Sequence, residues 1–288
     1  MKILSSAVLT FAVILACNVS SRAQQKKAAE VTKPAQIVRT VVKHDRRRFL
    51  HGGTLTLEGA PAGSISIESW PNSEVDVTAE IELRADSEAD LDRLAAVNTI
   101  VLDDDANHIR IVTTGTHDKA FMKQVKKFPK ALLGLPWKIA YRIRVPSTTD
   151  LEINAGRGPI SVTDVEGDIQ LSAAESETTL KLSGGNLNAV VGIGKVNLII
   201  PVKSWRRGGV IIRVAAGEVA MELPLGFAGD FDAQILRTGQ IIDSYGGLEA
   251  REKPGITPQK MKARAGAGGT WVQLTVGDGT ITIKKREQ

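Results

Sequence analysis

The sequence predicts an all-β protein, and within that class a single-domain β-solenoid with one short helix and one basic inserted segment. Three observations support this prediction. Apolar and polar residues alternate through long stretches, glycine is plentiful at 27 of 288 residues, and aromatic residues make up only 4 %. Alternation buries one face of a strand, while many glycines and few aromatic rings suit tight corners around a thin core.

The second half of the chain repeats a short unit: glycine, any residue, apolar, polar, apolar. Clear copies begin at Gly158, Gly167, Gly185, Gly194, Gly217, Gly229 and Gly279, and weaker ones at Thr178 and Gly209. So short a strand cannot bury its apolar face alone, so we expect the next copy to stack on it at about 4.8 Å. A β-sandwich is the alternative, because evenly spaced short strands also build sandwiches. The nine-residue step between neighbouring copies, as from Gly158 to Gly167, favours the solenoid.

The first half of the repetitive region alternates without the glycine unit. Apolar positions recur every second residue over 75–83, which predicts a half-buried strand. The sequence Trp-Pro-Asn-Ser at 70–73 predicts the turn before it. A serine followed by acids and spaced leucines predicts a capped helix over 87–97. Three aspartates at 103–105 predict the turn of a hairpin rather than a calcium loop, because the spacing of calcium ligands is missing.

Residues 1–23 have the features of a secretory signal peptide. Lys2 supplies the positive start, Ile3–Ala16 is an apolar run, and Ser21 and Ala23 are small residues near its end. The apolar run is too short for a membrane helix, which needs roughly 20 residues. We therefore expect export to the periplasm, the cell envelope or the medium.

Cys17 is the only cysteine, so it cannot form an internal disulfide. It follows Ile-Leu-Ala at 14–16, which resembles the lipobox of bacterial lipoproteins. Two interpretations stay open. Either the mature chain begins at a lipidated Cys17, or Cys17 is removed with the signal peptide and the mature chain begins at Gln24.

The polar stretch 24–44 lacks apolar periodicity and predicts a flexible tether, which leaves 45–288 as the repetitive β domain. The formal net charge of the whole chain is +5. Lysines and arginines are mostly interleaved with acids, whereas a nucleic-acid interface needs them clustered. We expect no nucleic-acid binding.

The sequence offers no catalytic constellation, and we expect no enzyme activity, cofactor or metal. Its four histidines, at positions 44, 51, 108 and 117, have no metal-ligand spacing. A serine-hydrolase elbow is missing, and the stretch 192–196 lacks the Ser or Thr of a phosphate loop. The acids Asp164, Glu166 and Asp168 could belong to a polysaccharide-active enzyme, but they fall at turns between repeats.

Residues 116–136 interrupt the β pattern with a basic, partly apolar stretch. The residues that make it basic and amphipathic, candidates for surface contact, are Lys119, Phe121, Lys123, Lys126, Lys127 and Phe128. They predict a helix over 119–128 that Pro129 ends. Two roles stay open: a cap over an open end of the stacked strands, or peripheral contact with anionic lipid or an envelope polymer.

The polar positions of the repeats form a second candidate surface. Stacked copies are expected to align them in one flat ladder that hydrogen-bonds a glycan or a protein, or that simply faces water. These positions are Ser161, Gln170, Lys181, Asn188 and Asn197.

Several runs together resemble the bacterial "putative adhesin" domain family of unknown function. They are Tyr-Arg-Ile-Arg-Val-Pro at 141–146, Leu-Glu-Ile-Asn-Ala-Gly at 151–156 and the glycine units after them. The resemblance covers roughly residues 55 to 285 and excludes the insertion. It implies export or envelope attachment and a β-solenoid-like fold, and it transfers no catalytic residue.

We therefore expect an exported, non-catalytic, adhesin-like binding module of the cell envelope. Its partner is an envelope polymer, glycan or protein that the sequence does not name. The alternatives are a structural or sensory component of an envelope stress system and a polysaccharide-active β-helix enzyme.

Overall fold

A computed structural model describes residues 36–105 and 107–286 of the chain. In this part, sixteen strands belong to one large hydrogen-bonded sheet that does not close on itself, accompanied by two α-helices. The all-β prediction is confirmed. The predicted signal peptide and Cys17 lie outside the described residues.

The first nine strands alternate with both helices. They are β1 (Ile37–Arg48), β2 (Thr54–Ala62), β3 (Ile65–Trp70), β4 (Glu74–Ala85), β5 (Thr99–Asp104), β6 (His108–Thr114), β7 (Trp137–Pro146), β8 (Asp150–Arg157) and β9 (Ile160–Thr163). The helices are α1 (Glu88–Val97) and α2 (Lys119–Gln124), and a short 3-10 turn spans Lys130–Leu132.

The remaining seven strands carry most of the glycine units. They are β10 (Ile169–Lys181), β11 (Leu187–Ile199), β12 (Val210–Leu223), β13 (Gly229–Ser244), β14 (Leu248–Ala250), β15 (Lys260–Ala265) and β16 (Thr270–Lys285).

Parallel pairing runs through the sheet in two rows. In the first row the order is β6, β2, β8, β10, β11, β12, β16 and β13. In the second row β7, β3 and β9 precede β10, which then pairs onward through the same long strands. Each long strand thus contributes a first arm to one row and a second arm to the other. We use these two names below.

Both arms send alternate side chains into a shared apolar core. In β10 the buried residues are Ile169, Leu171 and Ala173 in the first arm, and Leu180 in the second. The alternation skips at Ala174 and Glu175, where two successive residues are exposed. This skip, repeated in neighbouring strands, is what lets one strand bury both arms in the same core.

The step of the stack differs from the prediction. Ile169 pairs with Leu151 on one side and with Leu187 on the other, so neighbouring copies are 18 residues apart rather than nine. Successive glycine units do not stack on each other; they are the two arms of one strand. The expected nine-residue stacking was wrong because half of the units follow a bend within a strand instead of starting a new one.

One copy was also read in the wrong register. The unit at Gly209 predicted inward side chains at positions 211 and 213, but Val210, Ile212 and Val214 are the buried ones. Arg213 is exposed on the outer side of β12. The run of apolar residues from 210 to 212 carried no alternation that could fix its register.

Antiparallel strands and a helix flank the start of the stack. β4 pairs with β7 and with β1, and the hairpin of β5 and β6 forms as predicted. Helix α1 buries Leu91, Leu94 and Val97, and the Oγ of Ser87 accepts a hydrogen bond from the Asp90 backbone N–H, so the capped helix is also confirmed.

The predicted tether is too long. Residues 37–44 form most of β1, which pairs along its whole length with β4. Polar residues such as Arg39 hid this strand, because its exposed face is charged while β4 supplies the buried side. The rest of the predicted tether lies outside the described residues, apart from Gln36.

Candidate ligand-binding face

The predicted polar ladder forms two separate rows instead of one. Gln170 and Asn188 are direct neighbours in the first arms of β10 and β11. Ser161 and Asn197 lie in the second arms, with Thr179 between them. Lys181 occupies a third position, level with Thr163 and Ile199. The single ladder was wrong because it assumed that successive units stack.

Asn197 also departs from its expected exposure. Its side chain is half-buried, and its Oδ1 atom is buried without a hydrogen-bond partner among the described residues. Ser161 is likewise half-buried, whereas Gln170 and Asn188 are exposed. Only the first-arm pair therefore offers its amides freely to a ligand.

The first arms of β8, β10 and β11 carry the clearest polar surface of the described chain. Glu152, Gln170 and Asn188 lie side by side in register, one from each strand. Asn154 and Ser172 form the neighbouring row, two residues further along β8 and β10. These five residues, which we call the polar face, line a surface groove of about 380 Å³.

Hydrogen bonds fix both ends of the polar face. At one end, the buried Thr56 Oγ1 donates to Glu152 Oε2 at 2.9 Å and lies 2.9 Å from His108 Nε2. At the other end, Arg213 Nη1 donates to Asn188 Oδ1 at 3.2 Å. The face is thus pre-organised, with a carboxylate at one end and a guanidinium at the other.

An exposed tryptophan lies on the same side of the sheet. Trp271 is 46 % exposed and begins the first arm of β16. Gly209 stands beside it on the β12 side, since a Cβ atom on Gly209 would meet the Trp271 backbone. No side chain therefore fills the position next to Trp271 in that strand. Sequence reasoning missed this residue; the alternation of Trp271 with the inward Val272 was the available signal.

Chemically, the polar face and Trp271 combine hydrogen-bonding groups in rows with an apolar platform. Amides both donate and accept hydrogen bonds, and an aromatic ring packs against the C–H side of a flat ring. Neighbouring strands repeat the groups at about 4.8 Å. Such a surface suits an extended polar polymer better than a small molecule that needs enclosure.

The acids once considered for polysaccharide chemistry are engaged in turns. Glu166 forms an ion pair with Arg206 and accepts a hydrogen bond from Ser183. Asp168 accepts hydrogen bonds from the backbone and the amide of Asn186, at 3.1 Å and 3.0 Å. Asp164 lies 3.6 Å from Lys181 Nζ and has a positive φ of 57°, as turn residues do.

A buried carboxylate anchors the first strand. Asp76 is 2 % exposed and accepts hydrogen bonds from Arg46 and Arg144 at 2.9 Å and 2.7 Å. Its Oδ1 lies 2.8 Å from His44 Nε2. Burial alone would raise the pKa of Asp76, but the His44 and Arg46 hydrogen bonds and the Arg144 charge together hold that pKa below its usual value. Both guanidinium groups also lie over the Trp70 ring, at 5.5 Å and 4.6 Å.

The histidines are scattered among separate partners. His44 contacts Asp76, His108 contacts Thr56, and the His117 ring lies 5.4 Å from the Trp137 ring. Burial lowers the pKa of His117. Within the described ranges no group of three or more His, Cys, Asp or Glu side chains is placed to hold a metal ion. None of the helices described is long and apolar enough to cross a membrane.

The basic insertion is only partly helical. Helix α2 ends at Gln124, so the predicted helix over 119–128 is wrong in its second half. The chain turns at Lys127, where φ is 59°, and Phe128 packs against the core from outside the helix. Phe121 is half-buried and the lysines are exposed. The helix stops before Pro129 because Val125 already has extended backbone angles.

Comparisons with solved structures find several distant likenesses. A "putative cell adhesion protein" from Clostridium sporogenes ATCC 15579 is 13 % identical, with 87 % of this chain and 100 % of that chain covered and a TM-score of 0.42. A "putative adhesin" from Bacteroides fragilis NCTC 9343 is 12 % identical, covering 84 % and 97 %, with a TM-score of 0.27. A "putative adhesin" from Parabacteroides merdae ATCC 43184 is 9 % identical, covering 84 % and 95 %, with a TM-score of 0.23.

Comparisons at the level of sequence give no further relative. No protein-family model matches the chain, and no curated protein matches it significantly.

Proposed function

We propose that this protein is an exported, non-catalytic, adhesin-like binding module of the cell envelope, and that its polar face binds a glycan. The observation that carries the proposal is the row of Glu152, Gln170 and Asn188, exposed and in register beside a groove. A polysaccharide presents hydroxyl groups repeatedly along its length. A rigid row of carboxylate and amide groups meets them with little loss of conformational entropy on binding.

The engagement of the acids supports binding rather than hydrolysis. Glycosidases work with two carboxyl groups that face each other across the scissile bond, about 5–9.5 Å apart. Here Glu152 is held by Thr56, and Glu166 and Asp168 are held by their own turn partners. Carboxylates fixed in this way serve as hydrogen-bond acceptors.

We also propose that the stacked arms form a β-solenoid with two arms in each turn. The parallel pairing supports this, because sandwich domains are built from antiparallel sheets. Leu151, Ile169 and Leu187 follow one another at a constant step of 18 residues and are all buried. In such a stack the outer side of each row is continuous, which gives the polar face its regular spacing.

Retention of the protein by immobilised polysaccharides tests the glycan proposal. We would compare purified peptidoglycan sacculi with a panel of neutral and acidic soluble polysaccharides. The double variant Gln170→Ala with Asn188→Ala should lose about tenfold in affinity for the polymer that binds, since two net hydrogen bonds are removed.

Gln240→Ala serves as the matched control, because Gln240 is an exposed amide in the second arm of β13. Its affinity should stay within about twofold of the parent. Equal retention of all three proteins, or retention of none, would overturn the proposal.

A further inference from the structure

The segment 117–136, which links β6 to β7, is the most strongly charged part of the described surface. It has a single carboxylate, Asp118, which caps α2 by accepting from the backbone N–H groups of Ala120 and Phe121. Against it stand five lysines, at positions 119, 123, 126, 127 and 130, all exposed. We call residues 117–136 the basic segment.

These lysines differ from most others in the domain by their lack of partners. Lys138, Lys181, Lys195, Lys262 and Lys284 all form ion pairs with nearby carboxylates. None of the five lysines of the basic segment does so within the ranges that the structure describes. The positive charge of the segment is therefore not neutralised by the protein, and it is available to an anionic partner.

Apolar contacts hold the inner side of the basic segment against the domain. Leu132 is buried in the core, and Phe128, Leu135 and Trp137 pack against that core. The opposite side is open: Leu133 is 42 % exposed, and Gly134 has no neighbouring atom within 4 Å of where a Cβ would stand. The segment thus presents lysines together with a protruding leucine from a fixed base.

We propose that the basic segment docks the domain onto an anionic lipid bilayer. Lysines near such a surface are attracted by the negative potential of the headgroups, and the attraction grows with their number. The exposed Leu133 adds a small apolar anchor at the boundary between headgroups and acyl chains. A purely cap-like role accounts for the buried Leu132 but leaves the unpaired lysines and Leu133 unexplained. The inference is independent of the glycan proposal, since the polar face lies on β8, β10 and β11.

Vesicle co-sedimentation tests the docking. The probe is phosphatidylcholine vesicles with and without about a third phosphatidylglycerol, a fraction that gives the surface a strong negative potential. The protein would carry Cys17→Ser, so that no acyl chain contributes to binding. The test variant is Lys123→Gln, Lys126→Gln and Lys127→Gln combined. Its control combines Lys203→Gln, Lys253→Gln and Lys260→Gln, which removes the same charge from exposed lysines outside the segment.

We expect the parent and the control to bind anionic vesicles alike and the test variant to bind at least about tenfold more weakly. Leu133→Ser should weaken binding by about threefold, and about 0.5 M salt should abolish it. Thermal melts of all variants should agree, which shows that each remains folded. Three results would overturn the proposal: no sedimentation with anionic vesicles, equal weakening in test and control variants, or retention by soluble anionic polysaccharides alone.

Discussion

The backbones of Gly194 and Gly217 pack directly against each other: a Cβ atom on Gly217 would lie less than 3.0 Å from the carbonyl oxygen of Gly194. Both residues have positive φ, 134° and 142°. Gly63, Gly158, Gly239 and Gly279 continue the same column of close contacts at the bend between the arms. The strands can bend in step because this column carries no side chains.

Gly217→Ala should therefore destabilise the domain by about 3 kcal/mol or more, since the side chain meets backbone and the φ angle is strained. Gly134→Ala is the control, because the Gly134 position has open space around it. It should change the free energy of unfolding by no more than about 0.5 kcal/mol. Denaturant melts measure both, and similar stability of the two variants would refute the tight column.

Val196→Asp should cost several kcal/mol, because Val196 is fully buried in the second arm of β11 and the carboxylate would have no partner there. Thr179→Asp is its counterpart on the outer side of the neighbouring strand, where Thr179 is exposed and lies between Ser161 and Asn197. We expect about 0.5 kcal/mol or less for that change, measured by urea unfolding. A core without this register would tolerate both changes equally.

Asp76→Asn should lower stability at neutral pH by about 1–3 kcal/mol, because Arg46 and Arg144 lose their charged acceptor. The pKa of Asp76 is lower in the folded protein than in the unfolded chain. The stabilisation from the charged form is therefore complete above the unfolded value of about 3.9 and is lost as the pH falls through the folded value. The stability gap between parent and variant should shrink in acid, as unfolding curves at several pH values would reveal. A gap that stays constant with pH contradicts the assignment.

The mature chain should begin either at Cys17 with attached lipid or at Gln24 without it. Intact-mass measurement of the membrane and soluble fractions separates the two outcomes, and Cys17→Ser should abolish the first. Recovery of the whole chain, unprocessed, from the cytoplasm would contradict export.

The inward side of nearly every strand could be predicted from the sequence, because alternation alone assigns buried positions such as Val77 and Val219. The helix at Glu88–Val97 was equally predictable from its serine cap and leucine spacing. Which copy stacks on which was not predictable. A glycine serves equally well at a bend within a strand and at a corner between strands, so the nine-residue step had two interpretations.

The order of the last strands was beyond the sequence for a related reason. β16 lies between β12 and β13, so Val210 pairs with Val272 across 62 residues of chain. All three strands carry equivalent glycine units, and nothing local distinguishes their order. The polar face depended on this knowledge, because only the true register brings Gln170 beside Asn188 and separates both from Asn197.

Side-chain oxidation footprinting of the protein, with and without the polysaccharide that it retains, tests the glycan-binding face most directly. Trp271, 46 % exposed, should be protected when the polymer is bound, while Leu236, 61 % exposed at the bend of β13, should oxidise as before. Trp271→Ala should also weaken binding by about tenfold, through the lost stacking surface. Unchanged oxidation of Trp271 in the complex, together with protection at Leu236 or in the basic segment, would contradict a ligand site on the polar face.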